Sequence, residues 1–187
     1  KLKQRDGVYI NGVKVKLKGV NRHSFRPETG RTTSKQISIE DVLLMKDMNM
    51  NAVRMSHYPP DGHFLDVCDS LGLFVMNELA GWHGHYDTPT GTKLVEEMIV
   101  HDMNHPSIIM WANGNEGGHN LQLDSLFTEF DIQERPVVHP WQLFNGIENS
   151  KTIKHKKEFC DKYLNQKITF SKRLIAFICI EGIFFCS

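Results

Sequence analysis

Asn104-His-Pro-Ser-Ile-Ile-Met-Trp-Ala-Asn-Gly-Asn-Glu-Gly-Gly-His119 is the stretch on which the fold turns. Its apolar run, Ile108–Trp111, is short, β-branched at its start and bounded by Pro106 and Gly114. That pattern predicts a strand buried on both faces, of the kind a parallel sheet requires. Asn113, Asn115 and Glu116 follow at once, so polar side chains are delivered where the strand ends. In an α/β barrel that edge is the active face. A plainer reading stands beside this one: an ordinary strand and a Gly-rich turn with Glu116 in solvent, because a lone Asn-Glu pair is weak as a motif.

Working outward, the same alternation recurs upstream. Val8-Tyr-Ile10 and Val13–Leu17 flank Asn11-Gly12, a hairpin signal, and the second strand is expected to run on through Asn21 as the first barrel strand, ending at Arg22-His23. A long loop, Phe25 to Thr33, follows at that rim. Ser38 with Asp41 predicts a helix start, and Ile39, Val42, Leu43, Met45 and Met48 supply its apolar face. Asn51–Arg54 is the second strand, ending in Arg54, Ser56, His57 and Tyr58. Asp61 caps a second helix carrying Phe64, Leu65, Val67, Cys68 and Leu71, closed by Gly72. Leu73–Met76 is the third strand, ending in Asn77-Glu78, before a loop Leu79–Gly91 that holds Trp82, His83 and His85. A third helix from about Lys93 to Asp102 leads into Ile108–Trp111. A fourth helix spans about Leu121 to Phe130, and Pro136–His139 is a fifth strand leading to Trp141. Strand and helix alternating at this pitch make βα units on a parallel sheet, with the helical Met and aromatic positions as core.

The bulk composition narrows the partners. With 187 residues the chain holds one sizeable core, and Lys+Arg and Asp+Glu both number 22. No overall field then draws in nucleic acid or an anionic membrane, and a neutral polyhydroxylated ligand suits the balance. Cys68, Cys160, Cys179 and Cys186 show neither a Cys-x-x-Cys pair nor zinc spacing, so no disulfide framework or metal cluster is expected. The chain starts at Lys1 without Met or signal peptide and reads as an internal fragment, which leaves cytoplasm and periplasm open.

From about Glu148 the character changes. Lys151 to Arg173 is dense in lysine, and the apolar run from Leu174 is broken by Glu181, shorter than the roughly 20 residues of a membrane span. Two readings stand for residues 149–187: a foreign or out-of-frame extension, or a divergent helix and sixth strand. The expected organisation is therefore α/β: residues 1–148 as roughly the N-terminal half of a (β/α)8 TIM barrel after a short β-hairpin, since a whole barrel takes about 250 residues, and 149–187 as a separate tail.

Four stretches in order, Gly19-Val-Asn-Arg-His23, Asn51-Ala-Val-Arg-Met-Ser-His-Tyr-Pro59, Asn104-His-Pro-Ser107 and Gly114-Asn-Glu116, together resemble the catalytic barrel of glycoside hydrolase family 2, its β-galactosidase branch most closely. The resemblance implies a retaining exo-β-glycosidase acting on β-galactosides, with β-glucuronidase and β-mannosidase relatives, or a sugar-binding fragment without activity, as alternatives. It makes Glu116 the general acid/base and places Asn115 on the sugar 2-hydroxyl and His23 and His57 around the reacting end of the sugar. It pairs Arg54 with the nucleophile, although Arg54 could instead pair with Glu78 across neighbouring strand ends. The two histidines have an alternative reading as satisfied core residues. Trp82 and Trp141 are candidate sugar platforms, or core. His83-Gly84 resembles a magnesium-ligating His-Gly, but Gly81 stands where that pattern has Glu, so the Mg site is incomplete. The family nucleophile is a strand-seven Glu beyond the resemblance; Glu148, Glu158 and Glu181 match no such motif. The fragment alone is accordingly expected to be inactive.

Overall fold

Asn11 and Gly12 both adopt positive φ, 51° and 85°, the requirement of a two-residue hairpin turn whose twist matches its strands. In the computed structural model, which describes residues 2–4 and 8–139, that turn joins β2 (Val8–Ile10) to β3 (Val13–Val15). β1 (Leu2–Gln4) pairs antiparallel on the other side of β2, completing a small three-stranded sheet. The expected continuation of the hairpin into the barrel does not occur. β3 ends at Val15, and the first parallel strand, β4, is a separate element at Gly19–Arg22. The break is held by Asn51, whose Oδ1 accepts from Lys18 N at 2.7 Å while its Nδ2 donates to Lys16 O at 3.0 Å.

The main sheet has five parallel strands in sequence order: β4, β5 (Ala52–Met55), β6 (Phe74–Trp82), β7 (Ile108–Asn115) and β8 (Val137–Val138). The intervening helices are α1 (Lys35–Asp47), α2 (Gly62–Leu71), α3 (Thr88–Asp102) and, after a 3-10 turn at Leu121–Leu123, α4 (Asp124–Phe130). Parallel neighbours linked by helices in strict order are the βα repeat of a barrel wall. Val53, Met55, Val75, Ile108 and Trp111 from the strands meet Val42, Phe64, Leu65, Val95, Ile99 and Phe127 from the helices in one buried cluster. Every residue of β7 is buried, as its unbroken apolar start predicts.

Element boundaries moved where polar residues are paired. β6 and β7 do not stop at Met76 and Trp111 but run on through Trp82 and Asn115, so Asn77, Glu78, Asn113 and Asn115 lie inside strands. α1 begins four residues before the expected start: Ser34 caps it by accepting from Ile37 N, whereas Ser38 is fully buried with its hydroxyl 2.9 Å from His63 Nδ1. α3 likewise starts early, at Thr88, capped by Asp87. Leu43 and Met48, expected in the core, are 47% and 61% exposed, because α1 presents Val42 and Met45 inward instead. Asp61 precedes α2 as expected but makes no side-chain cap; its Oδ2 accepts from Thr33 Oγ1, while Gly72 closes the helix at φ 73°. Trp141, the boundary at 148 and the tail 149–187 lie outside the described residues.

Candidate active site

The pairing of β5 with β6 sets Arg54 opposite Met76, two residues short of Glu78. A carboxylate in the middle of a parallel strand must find a counter-charge, and Arg54 supplies it from the next strand. Glu78 is fully buried; its Oε2 accepts from Arg54 Nε at 2.7 Å and lies 2.6 Å from Nη2. His57 Nδ1 lies 2.9 Å from the other oxygen, Oε1. Burial pushes the Glu78 carboxyl up to about 7 against the opposing pull of Arg54. Arg54 Nη2 also donates to Asn115 Oδ1 at 2.8 Å, so three strand ends are tied together by one guanidinium. Glu78 is thus a partner of Arg54; a nucleophile as second partner lies outside the described residues.

Asn115 ends β7, and Glu116 leaves it in the left-handed region at φ 45°, followed by Gly117 at φ 82°. That turn swings the Glu116 side chain back over β6. Its Oε2 accepts from Trp82 Nε1 at 2.7 Å and lies 3.2 Å from His83 Nε2. Trp82 pairs with Asn115 in the sheet, and its ring packs 5.2 Å from His57. His57 in turn meets His23 edge-on at 5.4 Å. His23, Arg54, His57, Trp82, His83, Asn115 and Glu116 are thereby joined in one continuous set of contacts along the C-terminal ends of β4 to β7. Asn113 is the exception among the polar residues of this stretch: it turns away to donate to Asn120 O and Asp124 Oδ1.

Beside His23, His57 and Trp82 of this set lies a cleft of about 760 Å³, whose walls also include Tyr58 and His85. Phe25 and Arg31, from the long loop after β4, close another side, with the Arg31 guanidinium 3.9 Å over the Tyr58 ring. Glu116, 47% exposed, is hydrogen-bonded to one wall of the cleft, Trp82, which is itself 57% exposed. Both histidines are held below the ordinary imidazole range: burial is the main cause for each, reinforced by Arg54 on His57 and by His57 and Arg31 on His23. A neutral imidazole offers one donor and one acceptor without charge, which suits sugar hydroxyls.

The resemblance to magnesium-binding relatives can be tested on these residues. His83 and Glu116 touch each other directly, and the third position is Gly81. A Cβ there would collide with the carbonyl oxygen of Gly118, and a Cβ on Gly118 would stand 2.5 Å from Gly81 C and Trp82 N. No carboxylate side chain can be accommodated at 81 without moving the backbone. Among the described residues no group of three His, Cys, Asp or Glu side chains could hold a metal. The residues do not fit the ion.

Comparison with known proteins places the geometry. The profile of glycosyl hydrolases family 2, TIM barrel domain, matches residues 1–92 and 87–139. The chain belongs to glycoside hydrolase family 2. Within the family it is 41% identical to a β-galactosidase of Lactococcus lactis over 143 residues, 68% of this chain and 14% of that protein. It is 43% identical to a β-galactosidase of Thermoanaerobacterium thermosulfurigenes over 112 residues, 57% of this chain and 16% of that protein. Among solved structures, a Faecalibacterium prausnitzii β-glucuronidase superposes with TM-score 0.67 at 29% identity, covering 74% of this chain and 27% of that one. A β-glycosidase from Bacteroides vulgatus superposes with TM-score 0.65 at 32% identity, covering 74% and 20%. The chain therefore spans about one seventh of the length of these β-galactosidases. The superpositions agree with the partial barrel built above.

Reasoning from sequence missed Glu78 as a member of the site, treating it only as a possible partner for Arg54. The signal available was its position: a carboxylate four residues before Trp82, in a strand beside one bearing Arg54. Arg31, Phe25 and Tyr86 were also missed, although the length of the Phe25–Thr33 loop pointed to that side of the rim.

Proposed function

We propose that this chain carries the acid/base-bearing half of the catalytic barrel of a retaining exo-β-glycosidase of the β-galactosidase type, serving carbohydrate breakdown. The observation that carries the reading is the convergence of Glu116 and Asn115, at the end of β7, with Arg54, His57 and Trp82 from the two preceding strands. The identity to the β-galactosidases above supports galactoside as the sugar.

Glycosidic cleavage needs a carboxylic acid to protonate the departing oxygen, and in retaining enzymes a second carboxylate about 5–5.5 Å away to attack the anomeric carbon. Glu116 donates that proton and then, as carboxylate, takes one from the water that releases the sugar. Asn115, oriented by Arg54, meets the 2-hydroxyl. His23 and His57 bind hydroxyls around the reacting carbon, and the exposed Trp82 face meets an apolar sugar face. Glu78 is unsuited to attack: it is fully buried, and Arg54 and His57 occupy both its oxygens. The nucleophile therefore comes from chain outside the described residues.

The test is Glu116→Gln in the complete enzyme. It should slow hydrolysis of galactosides with poor leaving groups by about 10²–10⁴-fold, while activated aryl galactosides, whose leaving group needs no proton, lose much less in the first step. Equal loss on both classes sinks the acid role. A second reading, a β-glucuronide as substrate, is favoured by one feature: Arg31 presents a cation to the cleft. A panel of galactosides and glucuronides separates the two.

A further inference from the structure

We propose that Trp82 and His83 are positioning residues for Glu116, and that this pair, rather than a divalent cation, fixes the carboxylate in this protein. The inference rests on the reading of Glu116 as the acid/base. Both contacts, the indole N–H at 2.7 Å and the imidazole nitrogen at 3.2 Å, fall on Oε2. Among the described residues no hydrogen bond falls on Oε1, which is therefore the oxygen left to carry the proton to the glycosidic oxygen. A carboxylate held by one oxygen keeps its other oxygen aimed, which is what general acid catalysis demands of geometry.

The clamp is built into the backbone. Gly81 and Gly118 lie so close that neither tolerates a Cβ, which draws the end of β6 against the turn that follows β7. His83 and Glu116 both take left-handed backbone, at φ 60° and 45°, and those conformations bring their side chains face to face. On its far side the Trp82 ring packs on His57 and stacks at 27° to the His83 ring. The same Gly81–Gly118 approach removes the space a third carboxylate ligand would need. Close packing at 81 thus excludes the ion and, in the same step, delivers the indole N–H that replaces it.

The experiment uses the complete enzyme with Trp82→Phe, which keeps an aromatic face but loses the N–H, and with Glu116→Gln as reference. Trp82→Phe should lower kcat on poor leaving groups by about tenfold or more, the worth of a hydrogen bond to a charged group, with little change on activated aryl substrates. Dialysis against EDTA, and magnesium added back, should leave kcat/KM unchanged in the unaltered enzyme. His83→Ala in the Trp82→Phe background should deepen the loss. A loss spread equally over all leaving groups marks a merely structural role and overturns the proposal. So does wild-type behaviour of Trp82→Phe, or activity abolished by EDTA and restored by magnesium. In these three outcomes Glu116 stands as the acid if its Gln variant keeps the leaving-group signature. If that signature is missing, the functional reading and the clamp fall together.

Discussion

The two ends of the parallel sheet use polar side chains in opposite ways. At the N-terminal ends most of them hold backbone groups. Asn51 bridges Lys16 and Lys18, and Asp69 accepts from Ser107 N at 2.8 Å with His105 Nδ1 beside it at 2.6 Å. Arg135 donates to the carbonyls of Met103 and His105. At the C-terminal ends they grip one another: Arg54 with Glu78 and Asn115, His57 with Glu78, and Trp82 and His83 with Glu116. The first arrangement closes loops and stops there. The second gathers functional groups at one rim, the end of a barrel where chemistry is done.

The sharpest way to break this contrast is Glu78→Ala. It leaves the partly buried Arg54 charge without its carboxylate partner, which should cost the chain up to about 3–5 kcal/mol, read by denaturant unfolding, and should also misplace Asn115. Gly81→Ala should cost about 1–3 kcal/mol by overpacking against Gly118, and more if the backbone cannot yield. At the opposite end, Asp69→Ala should cost about 1–3 kcal/mol for an unsatisfied Ser107 amide, yet leave kcat/KM of the complete enzyme unchanged. An activity loss there would erase the difference between the ends. Leu44→Lys, on the exposed face of α1, should change stability by less than about 0.5 kcal/mol.

Acidity offers a further probe of the C-terminal rim. The folded Glu78 carboxyl lies near 7, above its ordinary 4.5. Between those values the folded chain binds more protons than the unfolded one. Its contribution to stability is then fully present below about pH 4.5 and is lost as pH rises through about 7, with a slope of at most about 1.4 kcal/mol per pH unit. Glu78→Gln should flatten that slope. For His23 and His57, NMR titration should give midpoints below 6.5, whichever way stability moves.

Much of this architecture can be read from the chain. The unbroken apolar start of β7, the Asn11-Gly12 turn and the alternation of elements give the sheet order, because each rests on local patterning. Strand ends were less legible. Asn77-Glu78 and Asn113–Asn115 look like exits from a strand, since uncompensated polar groups do not belong in a sheet interior. They stay inside because Asn77 donates to Asp102 at 2.7 Å and Glu78 has Arg54, partners 25 and 24 residues distant in sequence. The start of α1 was misplaced for a related reason: either Ser34 or Ser38 can cap, and only packing against His63 shows that Ser38 lies within the helix. Site residues matched to family motifs do converge at one rim. The Trp82–Glu116 hydrogen bond was not legible, because it depends on left-handed backbone at Glu116.

The account is tested most directly by a crystal structure of the complete enzyme with a non-hydrolysed thio-linked β-galactoside. It predicts Glu116 Oε1 within hydrogen-bonding distance of the linking atom, Oε2 still on Trp82, and Asn115 on the 2-hydroxyl. A sugar bound at that rim with Glu116 turned away from the linkage, or a ligand seated at the N-terminal ends of the strands, would contradict it.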